Sequence, residues 1–161
     1  MMASAFRSVV WGYTLIELLV VLAVLGILAA MTMPLSEVTV QRDRERELRR
    51  SLWEIRDALD AYHRAVASGA IAGPPSGYPA RLAQLTDAYA DTRVDHQGQV
   101  LRFLRRIPRD PFAAPDVAPE LSWRLRAYAS PADHPVAGDD VYDVSSSSDR
   151  LALDGTSLKD W

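Results

Sequence analysis

From Leu18 to Ala30 the chain carries no polar side chain, and this run constrains whatever fold surrounds it. With its flanks it extends from Gly12 to Leu35, reading G-Y-T-L-I-E-L-L-V-V-L-A-V-L-G-I-L-A-A-M-T-M-P-L. A helix rises about 1.5 Å per residue, so the stretch is long enough to cross a hydrocarbon core of roughly 30 Å. One carboxylate, Glu17, stands near its start. An acidic group in a membrane helix costs about 2.5–3.5 kcal/mol on insertion scales, which marks Glu17 as a functional residue in need of a counter-charge. Gly26 and Pro34 weaken the helix from within. Proline removes a backbone donor at a cost of about 3 kcal/mol in a helix interior, so a simple kink near Pro34 is the reading from the residue alone.

Gly12, the aromatic Tyr13, Thr14-Leu15-Ile16 and Glu17 ahead of the apolar run resemble the class III signal of type IV pilins and type II secretion pseudopilins. The resemblance implies a membrane prepilin peptidase that cuts between Gly12 and Tyr13 and methylates the new amino terminus. Glu17 is then the fifth residue of the mature chain. Tyr13 stands where most members have Phe, and the aromatic ring is kept. Residues 1–12 are thus expected to be a leader, 13–35 a transmembrane and filament-core helix, and 36–161 a periplasmic domain. Arg42, Arg44, Arg46, Arg49 and Arg50 follow the span and only Arg7 precedes it. Counted literally, the positive-inside rule would put the body in the cytoplasm. The resemblance implies the reverse, with the leader cytoplasmic and the body outside, and that orientation is the expectation adopted.

Beyond the span the pattern turns amphipathic. Leu48, Leu52, Ile55, Leu59, Tyr62 and Val66 recur at steps of four and three, which is one face of a helix. Arg49, Arg50, Glu54, Arg56, Asp57, Asp60 and Arg64 fall on the other faces, and Ser68-Gly69 is a stop signal. Anchor and amphipathic part together predict one helix of about 56 residues. The stripe lasts only about three heptads and a folded body follows, which favours packing on a domain over a coiled coil.

The remaining chain reads as short elements. Residues 69–79 are a loop punctuated by Gly73-Pro74-Pro75-Ser76-Gly77. A short helix is expected over 80–89 with Leu82 and Leu85 inward, a polar connection over 91–98 and a helical turn over 100–106. Then comes P-R-D-P-F, Pro108 to Phe112, expected as a rigid turn with Phe112 as its anchor. It resembles the P-x-D-P-[WF] block of major, or G-type, pseudopilins. Residues 122–129 alternate strictly, with Trp123, Leu125 and Ala127 on one side, and predict a half-buried strand. A second strand is expected over 140–145, pairing antiparallel with the first and covering the helix. The fold class expected is α+β: a long N-terminal helix, half apolar and half amphipathic, on a small antiparallel sheet, as in the pseudopilin fold.

The tail from Asp139 carries a serine run, expected as a floppy loop, among Asp143, Asp149, Asp154 and Asp160. Calcium takes six to eight oxygen ligands, but no EF-hand spacing is present. G-type pseudopilins hold a calcium ion in this region. The resemblance therefore implies Asp149 and Asp154 as ligands, aided by carbonyls of Ser146 or Ser148, with Asp143 and Asp160 as weaker choices. Arg150 stands where that family commonly has Gly.

Composition narrows the function. A net charge of −3 gives no electrostatic case for nucleic acid. The absence of Cys excludes disulfides and thiolate metal sites, including the disulfide-closed loop of some pilins. His63, His96 and His134 lack metal-ligand spacing, His63 is expected on the surface, and the serines lack a nucleophile elbow. No enzyme is therefore expected. The resemblance implies a subunit of a periplasmic type II secretion pseudopilus. Its partners would be copies of itself, prepilin peptidase, minor pseudopilins and the inner-membrane platform. In such a filament Glu17 would pair with the amino terminus of Tyr13, and the helix would kink or melt locally around Met31 to Pro34, which gives Pro34 its part in assembly. The arginines from Arg42 to Arg50 either bridge subunits or, the commoner case for any one of them, simply solvate their face. The alternative is a minor pseudopilin or a type IV pilin.

Overall fold

The computed structural model describes residues 12–96, 98–131 and 133–161, without the side chains of residues 30–36. The leader thus lies outside the described residues apart from Gly12. The expected kink at Met31 to Pro34 and the assembly role of Pro34 fall on residues whose side chains lie outside that description. The chain divides into two compact units, Met1–Val40 and Gln41–Trp161. Helix α1, Leu15–Ala67, contributes to both.

In the first unit α1 is apolar on every side. Leu15, Ile16, Leu18, Leu19, Leu22, Leu25 and Leu28 all have more than half their surface open. A helix that is hydrophobic all round belongs in a membrane or a helical bundle. Among the described residues, no helix is long and apolar enough to cross a membrane.

In the second unit the four-and-three spacing does what it predicts. Leu48, Leu52, Ile55, Leu59 and Tyr62 are each at most 2 % exposed and form the spine of the core. Each such aliphatic side chain contributes about 1.5–3 kcal/mol through burial. Val66 packs against the same cluster at its margin. The helix stops in a Schellman motif. Gly69 takes φ +70°, its N–H donates to Val66 O at 3.0 Å, and Ala70 N–H donates to Ala65 O at 2.9 Å. These bonds satisfy carbonyls that the last turn would otherwise leave open.

Two small antiparallel sheets cover the helix, rather than the single sheet expected. In the first, β1 (Tyr89–Ala90) pairs with β2 (Val100–Leu101), Tyr89 opposite Leu101. Residues 100–106 are therefore not a helical turn. Asp91 N–H donates to Gln99 O and extends the ladder, and Leu104 N–H donates to Leu85 O, so this backbone bonds across the hairpin and not along itself. The expected helix over 80–89 shrinks to a 3-10 turn, Leu82–Thr86, with Leu82 and Leu85 buried as expected. Its limit is Tyr89, whose ring packs edge-on against Tyr62 at 5.7 Å and whose backbone joins β1. The polar connection after β1 holds a buried carboxylate, Asp91, gripped by Arg93 at 2.6 Å.

In the second sheet β3 (Trp123–Arg126) pairs with β4 (Asp143–Ser146), with Trp123 opposite Ser146 and Arg126 opposite Asp143. Trp123 and Val144 join the core, as the alternation requires. The second strand begins later than residue 140 because Val141 N–H is drawn to Pro79 O and the Asp140 carboxylate accepts from Tyr128 N–H. The serine run is not floppy. Ser145 and Ser146 lie in β4, and Ser146 is wholly buried. The tail then turns back, bridges Leu151 to Ser157, and buries Ala152 and Leu158 in the core.

Candidate functional site

The N-terminal segment shows what its motif does locally. Gly12 to Thr14 precede α1, and Thr14 caps it: Glu17 N–H donates to Thr14 Oγ1 at 3.3 Å. Thr and Glu three positions apart form the pattern of a capping box, a signal the residue-by-residue reading passed over. Glu17 sits in the first turn, where the helix dipole favours negative charge. A cationic amino terminus freed at Tyr13 would lie just before that cap. Tyr13 is 81 % exposed. A Cβ at Gly12 would meet nothing within 4 Å, so the fold described does not require a glycine there.

The P-R-D-P-F block centres on Asp110, which is wholly buried. Its Oδ2 accepts from Ser146 Oγ at 2.6 Å and from Ser147 N–H at 3.2 Å, and its Oδ1 accepts from Phe112 N–H at 2.8 Å. Its own N–H donates to Ser122 Oγ, while Trp123 Nε1 donates to Pro108 O. Arg109 closes the turn by donating to Pro115 O and Ala114 O. The block is a rigid turn with Phe112 against the core, and it is also a lock between β3 and β4. The locking role of Asp110 was not foreseen. An acid between two prolines beside an anchoring aromatic was the available sign.

Of the tail carboxylates, Asp143, Asp149 and Asp154 are engaged separately. Asp143 Oδ1 accepts from Arg56 Nε at 2.8 Å. Asp154 Oδ1 accepts from the N–H and hydroxyl of Thr156, and its Oδ2 lies 3.7 Å from Arg49. The Thr156 bonds, chiefly the hydroxyl's, hold the Asp154 carboxyl below the usual range. Asp149 is 83 % exposed and reaches only Lys159, at 3.9 Å. Ser146 Oγ serves Asp110, and Ser148 Oγ accepts from Arg150 N–H. The Arg150 guanidinium lies over the Phe112 ring at 5.6 Å. Asp160 is exposed. Among the described residues no three His, Asp or Glu side chains gather as a metal would require. In this arrangement the expected calcium ligands do not converge, so the residues present do not fit the ion. His63 is not a plain surface residue: its ring stacks on Tyr78 at 4.5 Å.

Among known sequence families, the prokaryotic N-terminal methylation motif matches residues 12–33. No curated protein and no solved structure matches the chain. The matched span runs from Gly12 through the cap and Glu17 into the apolar helix. Beyond it, the long helix packed on small antiparallel sheets is a pilin-like α+β arrangement. Residues 12–33 thus carry the N-terminal methylation motif of the type IV pilin-like prepilins, a family of structural subunits that prepilin peptidase processes and whose new amino terminus is methylated, and the motif implies inner-membrane anchoring through the helix that bears it.

Proposed function

We propose that the chain is the major subunit of a type II secretion pseudopilus, cut between Gly12 and Tyr13 and stacked with copies of itself into a periplasmic filament. Minor pseudopilins and the inner-membrane platform are its further partners. The observation that carries the major-subunit reading is the Asp110 lock. The P-R-D-P-F block stands between the helical part and β3, and its acid ties the block to β4. A chain without Cys needs such a polar lock where a disulfide is not available.

The chemistry of assembly centres on Glu17. Stored alone in an apolar bundle, a carboxylate is costly. The new amino terminus of Tyr13, in the same or a neighbouring subunit, supplies the opposite charge. Because the pair forms only at one axial offset, it sets the register of stacking as well as offsetting burial.

Two measurements test this. Mass spectrometry of the chain co-expressed with prepilin peptidase should find a mature protein beginning at methylated Tyr13. A chain still starting at Met1 or Met2 overturns the proposal. Reconstituted with a secretion platform, the chain should form filaments as the sole abundant subunit. Filaments that appear only beside a different abundant subunit would assign it to the minor class.

A further inference from the structure

We infer that the C-terminal loop of this chain is closed by a cation of its own, the Arg56 guanidinium, and takes no divalent ion. Arg56 Nε donates to Asp143 Oδ1 at 2.8 Å, and its Nη2 donates to Val144 O at 2.9 Å and to the main-chain oxygen of Trp161 at 2.8 Å. One carboxylate and two main-chain oxygens converging on a positive centre are the kind of donor set a calcium ion collects. Here a planar, permanently charged fork collects them.

The rest of the same helix face completes the closure. Gln41, Glu45, Arg49 and Arg56 recur near whole turns of α1. Glu45, 8 % exposed, accepts from Leu153 N–H at 2.8 Å, and Gln41 donates to Leu151 O at 3.2 Å. The Arg49 guanidinium lies 4.2 Å above the Trp161 ring, an attraction between cation and π-face. Trp161 Nε1 in turn donates to Thr156 Oγ1, the hydroxyl that holds Asp154. Amides and carbonyls of the loop thus find partners on α1, and Asp154 finds them both on α1 and within the loop. A divalent ion seated at Asp143 would meet the guanidinium already bonded there, and like charges in contact repel. Asp149, left largely to solvent, lacks companions to make a second seat.

Hydrogen–deuterium exchange over residues 147–161, on the full chain in detergent micelles, reads the closure directly. The inference does not rest on assembly, because the unassembled subunit is measured. Exchange and unfolding temperature should be the same in excess calcium and in chelator. The variant Arg56→Gln should exchange about tenfold faster in this segment, the loss expected for charge-assisted bonds to one group, in calcium and chelator alike. The inference is overturned if calcium slows exchange or raises the unfolding temperature of the unmodified chain. It is equally overturned if Arg56→Gln exchanges like the parent. The calcium comparison needs no variant, so it decides the matter even if Arg56→Gln folds poorly.

Discussion

Three acids show how one chemical group, the carboxylate, serves three purposes, each set by its surroundings. Asp91 is buried beside Arg93, whose hydrogen-bonded guanidinium holds the carboxyl down at about 2. Unfolded, the same group titrates near the ordinary value of about 3.9. A depressed folded value contributes stability above the unfolded value, and that contribution is lost as pH falls through the folded one. Thermal unfolding followed by circular dichroism should therefore steepen between about pH 4 and pH 2. Asp91→Asn, which keeps the turn but not the charge, should flatten that limb. Asp110 answers a packing need instead. Asp110→Ala would leave Phe112 N–H, Ser147 N–H and the Ser146 hydroxyl without their acceptor. About 1–3 kcal/mol is expected for each buried group left unpaired, so a large loss in denaturant midpoint should follow. Glu17 has no such structural duty beyond the first turn of α1, and Glu17→Ala should leave folding and cleavage intact. Filaments should fail to form from that variant, as counted by electron microscopy; normal filaments would refute the pairing with Tyr13.

The second half of α1 was legible in the sequence because its apolar period is strict and its stop is local. Leu48 to Tyr62 announce a buried face, and Ser68-Gly69 announce the end. Gly69→Ala tests that end: the φ of +70° puts a Cβ in the left-handed region, at about 1 kcal/mol, although no atom lies in its way. A small drop in unfolding temperature with an unchanged core is the expected result. The β1–β2 hairpin was not legible. Strands of two residues carry no period, and Val100 and Leu101 beside Phe103 and Leu104 read equally well as a helical turn. The decision is made by distant partners, Tyr62 on α1 and the backbone of Leu85. The tail misled for a similar reason. Four serines look solvated in isolation, yet Ser146 finds Asp110 thirty-six positions earlier.

At the scale of the whole molecule, the N-terminal unit carries the methylation motif and the C-terminal unit carries the packed domain. The motif was readable because its residues are contiguous in the chain. The domain's locks were not, because Asp110 with Ser146, Arg56 with Trp161 and Glu45 with Leu153 join residues far apart in the chain. Leu158, fully enclosed beside the spine that begins at Leu48, adds a constraint in time. A ribosome making this polypeptide releases the greasy face of α1 long before the side chain that completes its cover. Domains settle as units once their parts are available, so the nascent molecule must cross that interval incompletely shielded. Slow translation of the final stretch would lengthen the exposure, and a holding chaperone would find its client there.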